Sequence, residues 1–187
     1  LIIIIVIAIR KKSFFGTLGF LIGVSVIIYS MFVVGLAPGY RGVSLDKKLA
    51  LNKSEVSADD LYATEMTVIS ELNKISEDID YDVYGASIMP YSLDSLGDKL
   101  SSAYEMISNE YQFFGRSKPK PLIISEYMTY THLSGIYTFF TGEANINTNY
   151  PDFISAFSSA HEMAHQRGIS KEDEANFIAF LVCKNSD

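Results

Sequence analysis

The chain begins with two apolar segments that are separated by three basic residues. Residues 1–9 have no polar side-chain atom, and residues 14–37 form a stretch of 24 residues without a charge. A helix of that length reaches roughly 36 Å at about 1.5 Å per residue, enough to cross a bilayer core. Short basic loops stay on the cytoplasmic side. We therefore expect a truncated transmembrane helix over 1–9, a cytoplasmic loop over 10–13, a transmembrane helix over 14–37, and an extracytoplasmic domain over 38–187 that is truncated at its C-terminus.

A cleaved signal peptide is the alternative interpretation of this region. Its basic part would be residues 10–12, followed by the uncharged stretch. Signal peptides have an apolar core of about 7–15 residues, which is shorter than this stretch. The pattern therefore favours a membrane helix.

Hydrophobic spacing and capping residues predict the elements of the remaining chain. Residues 55–80 and 92–114 carry apolar side chains at helical spacing, and Ser57 with Asp60 suits a helix N-terminus. We interpret both helices as packing elements with acidic outer faces. The pattern further predicts a loop over 116–121, strands over 122–125 and 136–140, a continuation or turn over 142–149, and a helix over 151–167 ending at Gly168. Ser170 opens a last helix, either through a capping box with Asp173 or with Glu172 and Glu174 favouring the helix N-terminus electrostatically.

Composition and charge exclude some classes of function. The 142 residues after position 45 carry 11 basic and 22 acidic side chains, whereas a nucleic-acid-binding surface is basic. The chain has one cysteine, Cys183, so an internal disulfide and a four-cysteine zinc site are both excluded. Its apolar surroundings suggest that Cys183 packs in a helix. No nucleic-acid partner is expected.

The candidate chemistry lies in His161-Glu162-Met163-Ala164-His165, an HExxH motif. On a helix, residues four apart lie on one face, so the two imidazoles can bind one Zn²⁺. Glu162 lies beside that face, where its carboxylate can accept a proton from water held by the metal. The motif therefore predicts a zinc site with a general base.

A catalytic zinc site needs a third protein ligand. In the pattern HExxHxxGxxH, Gly168 would occupy the glycine position, but the last position is Lys171, which is a poor ligand. The other pattern takes a glutamate from the following helix. Glu172 and Glu174 are both candidates, since a tight turn after Gly168 would bring the first turn of that helix beside His165.

The sequence from Glu172 to Ala179 resembles the pattern E-x-x-A-[DN]-x-x-A of gluzincins such as the CAAX prenyl proteases and their bacterial membrane relatives. That resemblance implies that Glu172 is the third zinc ligand and that Asn176 orients one of the histidines. Those families place many residues between HExxH and the glutamate, whereas six intervene here. Glu174 therefore stays open as an alternative ligand.

Residues 140–181 also resemble an uncharacterised bacterial family of multi-pass membrane proteins with an HExxH, zincin-like domain of the gluzincin type. The two apolar segments at the start agree with that architecture. The resemblance implies an α+β, zincin-like fold, mostly helical with a small β-sheet, that follows transmembrane helices in a bacterial cell membrane.

Several polar residues outside the motif are further candidates. Glu143, Asn145 and Asn147 alternate, so their side chains share one strand face and could bind substrate or an ion, or could cap a turn. His132 could stabilise an oxyanion or be a loop histidine held by hydrogen bonds, and Arg167 could pair with Glu172 or Glu174 or be structural. Three tyrosines could approach a scissile carbonyl: Tyr127, Tyr130 and Tyr137.

The sequence thus predicts a membrane-anchored zinc metallopeptidase. Zn²⁺ held by His161, His165 and Glu172 would activate water, Glu162 would carry the proton to the leaving amine, and the substrate would be a peptide or protein. The main alternative is a catalytically inactive zinc-binding sensor or scaffold in the lipid bilayer, and a weaker one is a metal-free structural domain. Oligomeric state, cleavage specificity and further spans are left open.

Overall fold

A computed structural model describes residues 14–52, 54–108 and 117–186. Within these ranges the chain forms eight α-helices, one 3₁₀ turn and three short strands. The helices are α1 (Phe14–Gly35), α2 (Ala37–Tyr40), α3 (Leu45–Lys48), α4 (Ala58–Ile75), α5 (Leu93–Ile107), α6 (Ser125–Thr129), α7 (Asp152–Gln166) and α8 (Glu172–Lys184); the 3₁₀ turn is Ser76–Asp78, and the strands are β1 (Lys120–Pro121), β2 (Gly135–Thr138) and β3 (Glu143–Ile146).

Helix α1 is apolar around its whole circumference, and none of its residues is buried. Together with α2 it forms a helical segment, Phe14–Tyr40, that is long and apolar enough to be a membrane anchor or a signal sequence. The predicted span over 1–9 and the basic loop over 10–13 lie outside the described residues. Helix α1 covers most of the uncharged stretch over 14–37.

The sheet has three strands in the order β1-β3-β2, with β1 parallel and β2 antiparallel to β3. Strand β2 is therefore an edge strand. The strand predicted over 122–125 is wrong: the ladder ends with a bond from the Leu122 N–H to the Ile146 carbonyl. The Ser125 hydroxyl then closes a turn onto the Leu122 carbonyl, and α6 begins.

Helices α5, α7 and α8 form the core together with the sheet. Helix α5 has the predicted apolar face and buries Leu96, Leu100 and Tyr104. Helix α8 contributes Ile178 and Val182, while α7 packs on both α8 and strands β2 and β3. The chain is therefore a mixed α+β protein, as predicted, in which α7 is the central helix.

Helix α4 differs from its prediction as a packing element. The expected capping box is present, because the Ser57 hydroxyl accepts from the Asp60 N–H and the Asp60 carboxylate accepts from the Ser57 N–H. No residue of α4 is buried, however, although it carries apolar side chains such as Leu61 and Leu72. Its cap and spacing produce a helix, but that helix does not join the core formed by the described residues.

A tight turn connects α7 to α8. Gly168 has φ of +96°, a conformation that favours glycine, and the Ile169 N–H bonds back to the Ala164 carbonyl. Of the two alternatives for the start of α8, the capping box at Ser170 is wrong, because Lys171 is the N-cap and makes no side-chain cap bond. Three acidic residues in the first turn of α8 suit the positive end of the helix dipole instead.

Candidate metal centre

Three potential ligand atoms converge where α7 meets the start of α8. Nε2 of His161 lies 3.0 Å from Nε2 of His165 and 3.1 Å from Oε2 of Glu172. Nε2 of His165 lies 3.5 Å from the same carboxylate oxygen. Two zinc ligands with bonds of about 2.0–2.1 Å at a tetrahedral angle lie about 3.4 Å apart. The three atoms therefore have the spacing of one face of a zinc tetrahedron.

Each histidine ring is oriented by a bond to its other nitrogen. Nδ1 of His165 lies 2.7 Å from the carbonyl oxygen of Ile169, which can only accept, so Nδ1 carries the proton. Nδ1 of His161 lies 2.9 Å from Oδ1 of Asn176, which assigns its proton in the same way. In the neutral form of each ring, both Nε2 atoms are then acceptors. This is the tautomer that metal-binding histidines use.

The donor set fits a cation. When both imidazoles are neutral with their protons at Nδ1, two nitrogen lone pairs and a carboxylate oxygen face one another, and a positive charge at their centre would stabilise them. Burial, together with the neighbouring His165, lowers the pKa of His161, which favours its neutral form. Nitrogen and carboxylate ligands in this combination suit Zn²⁺.

The structure separates the two candidate glutamates. Glu172 and Glu174 are two residues apart on α8, so their side chains point in different directions. Glu174 accepts from the Leu45 N–H at 2.9 Å and from Lys171 at 3.2 Å. It therefore fixes α3 to α8, whereas Glu172 faces the histidines.

Glu162 lies beside the three atoms and is 8% exposed. Burial, reinforced by the negative charge of Glu172, raises the pKa of Glu162 to about 7, against the opposing effect of a hydrogen bond from the Tyr137 N–H. Strand β2 reaches this carboxylate because Gly135 has no side chain to keep it away. A carboxyl group with a pKa near neutrality can both accept and release a proton at physiological pH.

These groups share one cavity of about 450 Å³. Strand β2, α7, α8 and the chain just after α1 supply its walls. The lining residues are Leu36, Tyr40, His132, Leu133, Ser134, Gly135, Ile136, Tyr137, Phe157, Ser158, His161, Glu162, His165, Glu172 and Asn176. Of the minor candidates, His132 and Tyr137 belong to this wall, and the Tyr137 ring stacks on His165 at 6.3 Å between centroids. Backbone strain marks His132, whose φ is +57°.

Glu143, Asn145 and Asn147 lie outside this wall. Glu143 pairs with Lys120, and the Asn145 amide donates to the Thr138 hydroxyl at 3.0 Å. Asn147 is fully buried and donates to the Leu133 carbonyl at 2.9 Å. These side chains hold the β-hairpin and the loop before it, which matches the structural alternative.

The other candidates also have structural surroundings. Arg167 does not pair with Glu172 or Glu174: it lies over the Tyr104 ring, 4.1 Å from the centroid, and donates to the Met163 carbonyl. Tyr127 and Tyr130 are exposed and lie outside the cavity wall. Cys183 is half-buried and packs against the core, and burial raises the pKa of its thiol to about 11.

Sequence comparison then places the whole chain. The family described as "Protein of unknown function (DUF3810)" matches residues 1–187. The chain belongs to this family. No curated protein and no solved structure matches it. A function for this family member is therefore inferred from the residues described above.

Sequence reasoning missed several residues that build the site. Nothing in the local pattern connects Gly135 with Glu162. The Ile169 carbonyl is invisible to any side-chain motif, although the tight turn at Gly168 was predicted. Leu36 falls within the predicted membrane helix and Tyr40 lies just beyond it, yet both line the cavity.

Proposed function

We propose that this protein is a membrane-anchored zinc metallopeptidase that hydrolyses peptide bonds. One observation carries the proposal: three potential ligand atoms, from His161, His165 and Glu172, converge in a cavity beside the buried Glu162. The first three suit a metal, whereas Glu162 contributes no atom to the cluster. A buried carboxylate beside a metal site destabilises the folded protein, but it can transfer protons in catalysis.

The residues of the chain divide the work of hydrolysis. Zinc, when bound, polarises a carbonyl group and acidifies water. Glu162 accepts the proton of the attacking water and delivers it to the leaving amine, a role for which its raised pKa is suited. Asn176 and the Ile169 carbonyl keep the two imidazoles oriented. His132, on the cavity wall, is the candidate for stabilising the developing negative charge.

Strand β2 is the candidate for binding the substrate backbone. One side of β2 pairs with β3, and residues Ser134–Tyr137 line the cavity. An extended peptide could pair with the other edge of β2 and pass beside Glu162. This arrangement supports a peptide or protein substrate.

The rival function is a zinc-binding sensor or scaffold without turnover. Metal binding by itself requires the two histidines and Glu172, and it gives Glu162 no role. Zinc binding without any peptidase activity would favour this rival.

The α1 segment supports membrane anchoring under either function. We propose a bacterial, multi-pass membrane protein. Because basic residues 10–12 precede the span, we propose that the site lies on the extracytoplasmic side.

Zinc content of the detergent-purified protein tests the metal site. We expect about one equivalent in the wild type, loss of zinc in Glu172→Ala, and retention in the matched control Glu174→Ala, which removes a carboxylate from the same helix. Absence of zinc from the wild type after zinc has been supplied would refute the proposal.

Peptide-library cleavage then tests the reaction. Wild type should cleave, and Glu162→Gln should keep its zinc while losing activity by at least about 10²-fold. Cleavage that survives in zinc-loaded Glu162→Gln would contradict the role of Glu162 as the base.

A further inference from the structure

The end of the apolar helix forms part of the cavity wall. Leu36 follows directly after α1, and Tyr40 ends α2; both line the cavity that holds His161 and Glu162. At about 1.5 Å per helical residue, the wall from Leu36 to Tyr40 extends only about 8 Å beyond the last residue of α1. The candidate metal centre therefore lies beside the point where the chain leaves the apolar helix.

A close backbone approach fixes this arrangement. A Cβ atom on Gly39 would lie 1.9 Å from the hydroxyl oxygen and 2.8 Å from Cβ of Ser170. Ser170 is buried and stands two residues before Glu172, in the turn that joins α7 to α8. The helix exit therefore packs directly on the turn that presents the candidate metal ligand.

The hairpin that carries β2 also touches the apolar helix. The Phe139 ring lies 5.7 Å from the Phe32 ring in an edge-to-face contact, and Phe139 contacts Phe140 at 5.3 Å. Phe32 lies three residues before the end of α1, about 4.5 Å along the helix axis. Phe140 is 51% exposed at the hairpin tip. If α1 spans the bilayer, this aromatic tip lies at the depth of its outer interface, where aromatic side chains are favourable.

We propose, on the basis of the metallopeptidase function above, that the site acts on polypeptides anchored in the same membrane and cuts them within about ten residues of the bilayer surface. An extended chain advances about 3.3 Å per residue, so three to five residues beyond a membrane anchor suffice to reach the cavity. A soluble peptide would have to bring its backbone to the membrane surface first. Of the peptide and protein substrates that a peptidase could cut, the position of the cavity therefore favours a membrane-bound protein.

The reaction itself is ordinary hydrolysis. One water molecule is consumed: its oxygen forms a bond to the carbonyl carbon, and the C–N bond breaks. The proton that Glu162 accepts goes to the departing nitrogen. The products are a carboxylate on one fragment and an amine on the other, and no oxidant or further reactant is needed.

Matched substrates in vesicles test the proposal. Three libraries present the same randomised decapeptides. In the first the decapeptide is joined directly to a single apolar transmembrane helix, in the second it is joined through a 25-residue Gly-Ser spacer, and in the third it is free in solution. The full chain and each library are combined in phosphatidylcholine vesicles, and the products are identified by mass spectrometry. We expect cleavage of the directly joined library to be at least tenfold faster than that of the other two.

Each outcome has a distinct meaning. Equal rates for all three libraries would overturn the membrane-proximal substrate and leave the peptidase function standing. Absence of cleavage in every arm by zinc-loaded protein would overturn the peptidase function, and this inference with it.

A fluorescence experiment tests the geometry without activity. The chain has no tryptophan, so Phe140→Trp introduces one probe at the hairpin tip, and Phe139→Trp is the second variant in case the first does not fold. In vesicles containing brominated phosphatidylcholine we expect at least a twofold loss of emission. Tyr84→Trp, at an exposed position close to Asp80 and Asp82, is the control that should keep its emission. Equal emission from hairpin and control variants would overturn the proposal.

Discussion

A methyl group on Gly135 would lie 2.7 Å from Cγ of Glu162, so strand β2 and the candidate general base are in direct contact. The same methyl group would lie 3.2 Å from the Asn145 carbonyl oxygen, which belongs to the neighbouring strand and cannot turn away. The strand that we propose to bind the substrate backbone therefore also contacts the candidate general base.

This contact makes Gly135→Ala a test of how Glu162 is positioned. The added methyl group should displace the Glu162 side chain, while the three atoms of the metal cluster keep their places. We expect kcat/KM to fall at least about tenfold, since a misplaced catalytic group loses much of its effect. Zinc content and far-ultraviolet circular dichroism should match the wild type. An unchanged kcat/KM would show that Glu162 tolerates displacement.

The hydrogen bond between His161 and Asn176 predicts an effect on metal affinity. Asn176→Leu removes the acceptor that holds the ring at Nδ1, and such losses weaken zinc binding by about 10–100-fold. Competition with a fluorescent zinc chelator measures the change. Asn185→Leu is the matched control, because it removes an asparagine side chain that follows α8 and donates to the Leu181 carbonyl, away from the histidines. Equal affinities in the two variants would argue against a role for Asn176 in the metal site.

Burial of Glu162 predicts a stability that depends on pH in the metal-free protein. The folded state raises the pKa of Glu162 from 4.5 to about 7, so folding favours the protonated carboxyl. Its contribution is fully present below pH 4.5, declines as the pH rises, and is lost above pH 7. Glu162→Gln mimics the protonated form and should be more stable than the wild type by about 3 kcal/mol at pH 8.

Chemical unfolding in detergent with a zinc chelator measures this difference. The advantage of Glu162→Gln should shrink as the pH is lowered through 7 and should disappear below pH 4.5, where the wild-type carboxyl is protonated in both the folded and the unfolded state. Identical stabilities at pH 8 would mean that the Glu162 carboxylate is well solvated.

The contact between Gly39 and Ser170 predicts a packing effect at the end of the apolar helix. Gly39→Ala forces a methyl group into the buried Ser170 side chain, and overpacking of this kind costs about 1–3 kcal/mol. The free energy of unfolding in detergent measures it. Gly35→Ala is the control, since nothing lies within 4 Å of a methyl group there. If both variants were equally stable, the helix exit would not be packed on the turn before α8.

Elements that depend on neighbouring residues could be predicted from the sequence. The apolar stretch of α1, the Ser57–Asp60 capping box and the buried face of α5 all follow from spacing along the chain. The prediction of a strand over 122–125 failed because the Ser125 hydroxyl closes a turn in this β-prone segment. The last bond to β3 is the one from the Leu122 N–H to the Ile146 carbonyl, a residue far away in the sequence. The prediction that α4 packs in the core failed for a similar reason. An apolar helical face shows that a helix can pack, but it does not show that a partner is present.

The sequence by itself determined the HExxH pair and its carboxylate, because residues four apart on a helix must share a face. It also left Glu172 and Glu174 as the candidates for a third ligand. Only the tertiary structure separated those two, since the turn at Gly168 and the start of α8 direct one side chain to the histidines and the other to Leu45. The contacts of Gly135 with Glu162 and of Gly39 with Ser170 likewise join residues 27 and 131 positions apart. Such contacts leave no local signal, because they depend on how whole elements pack.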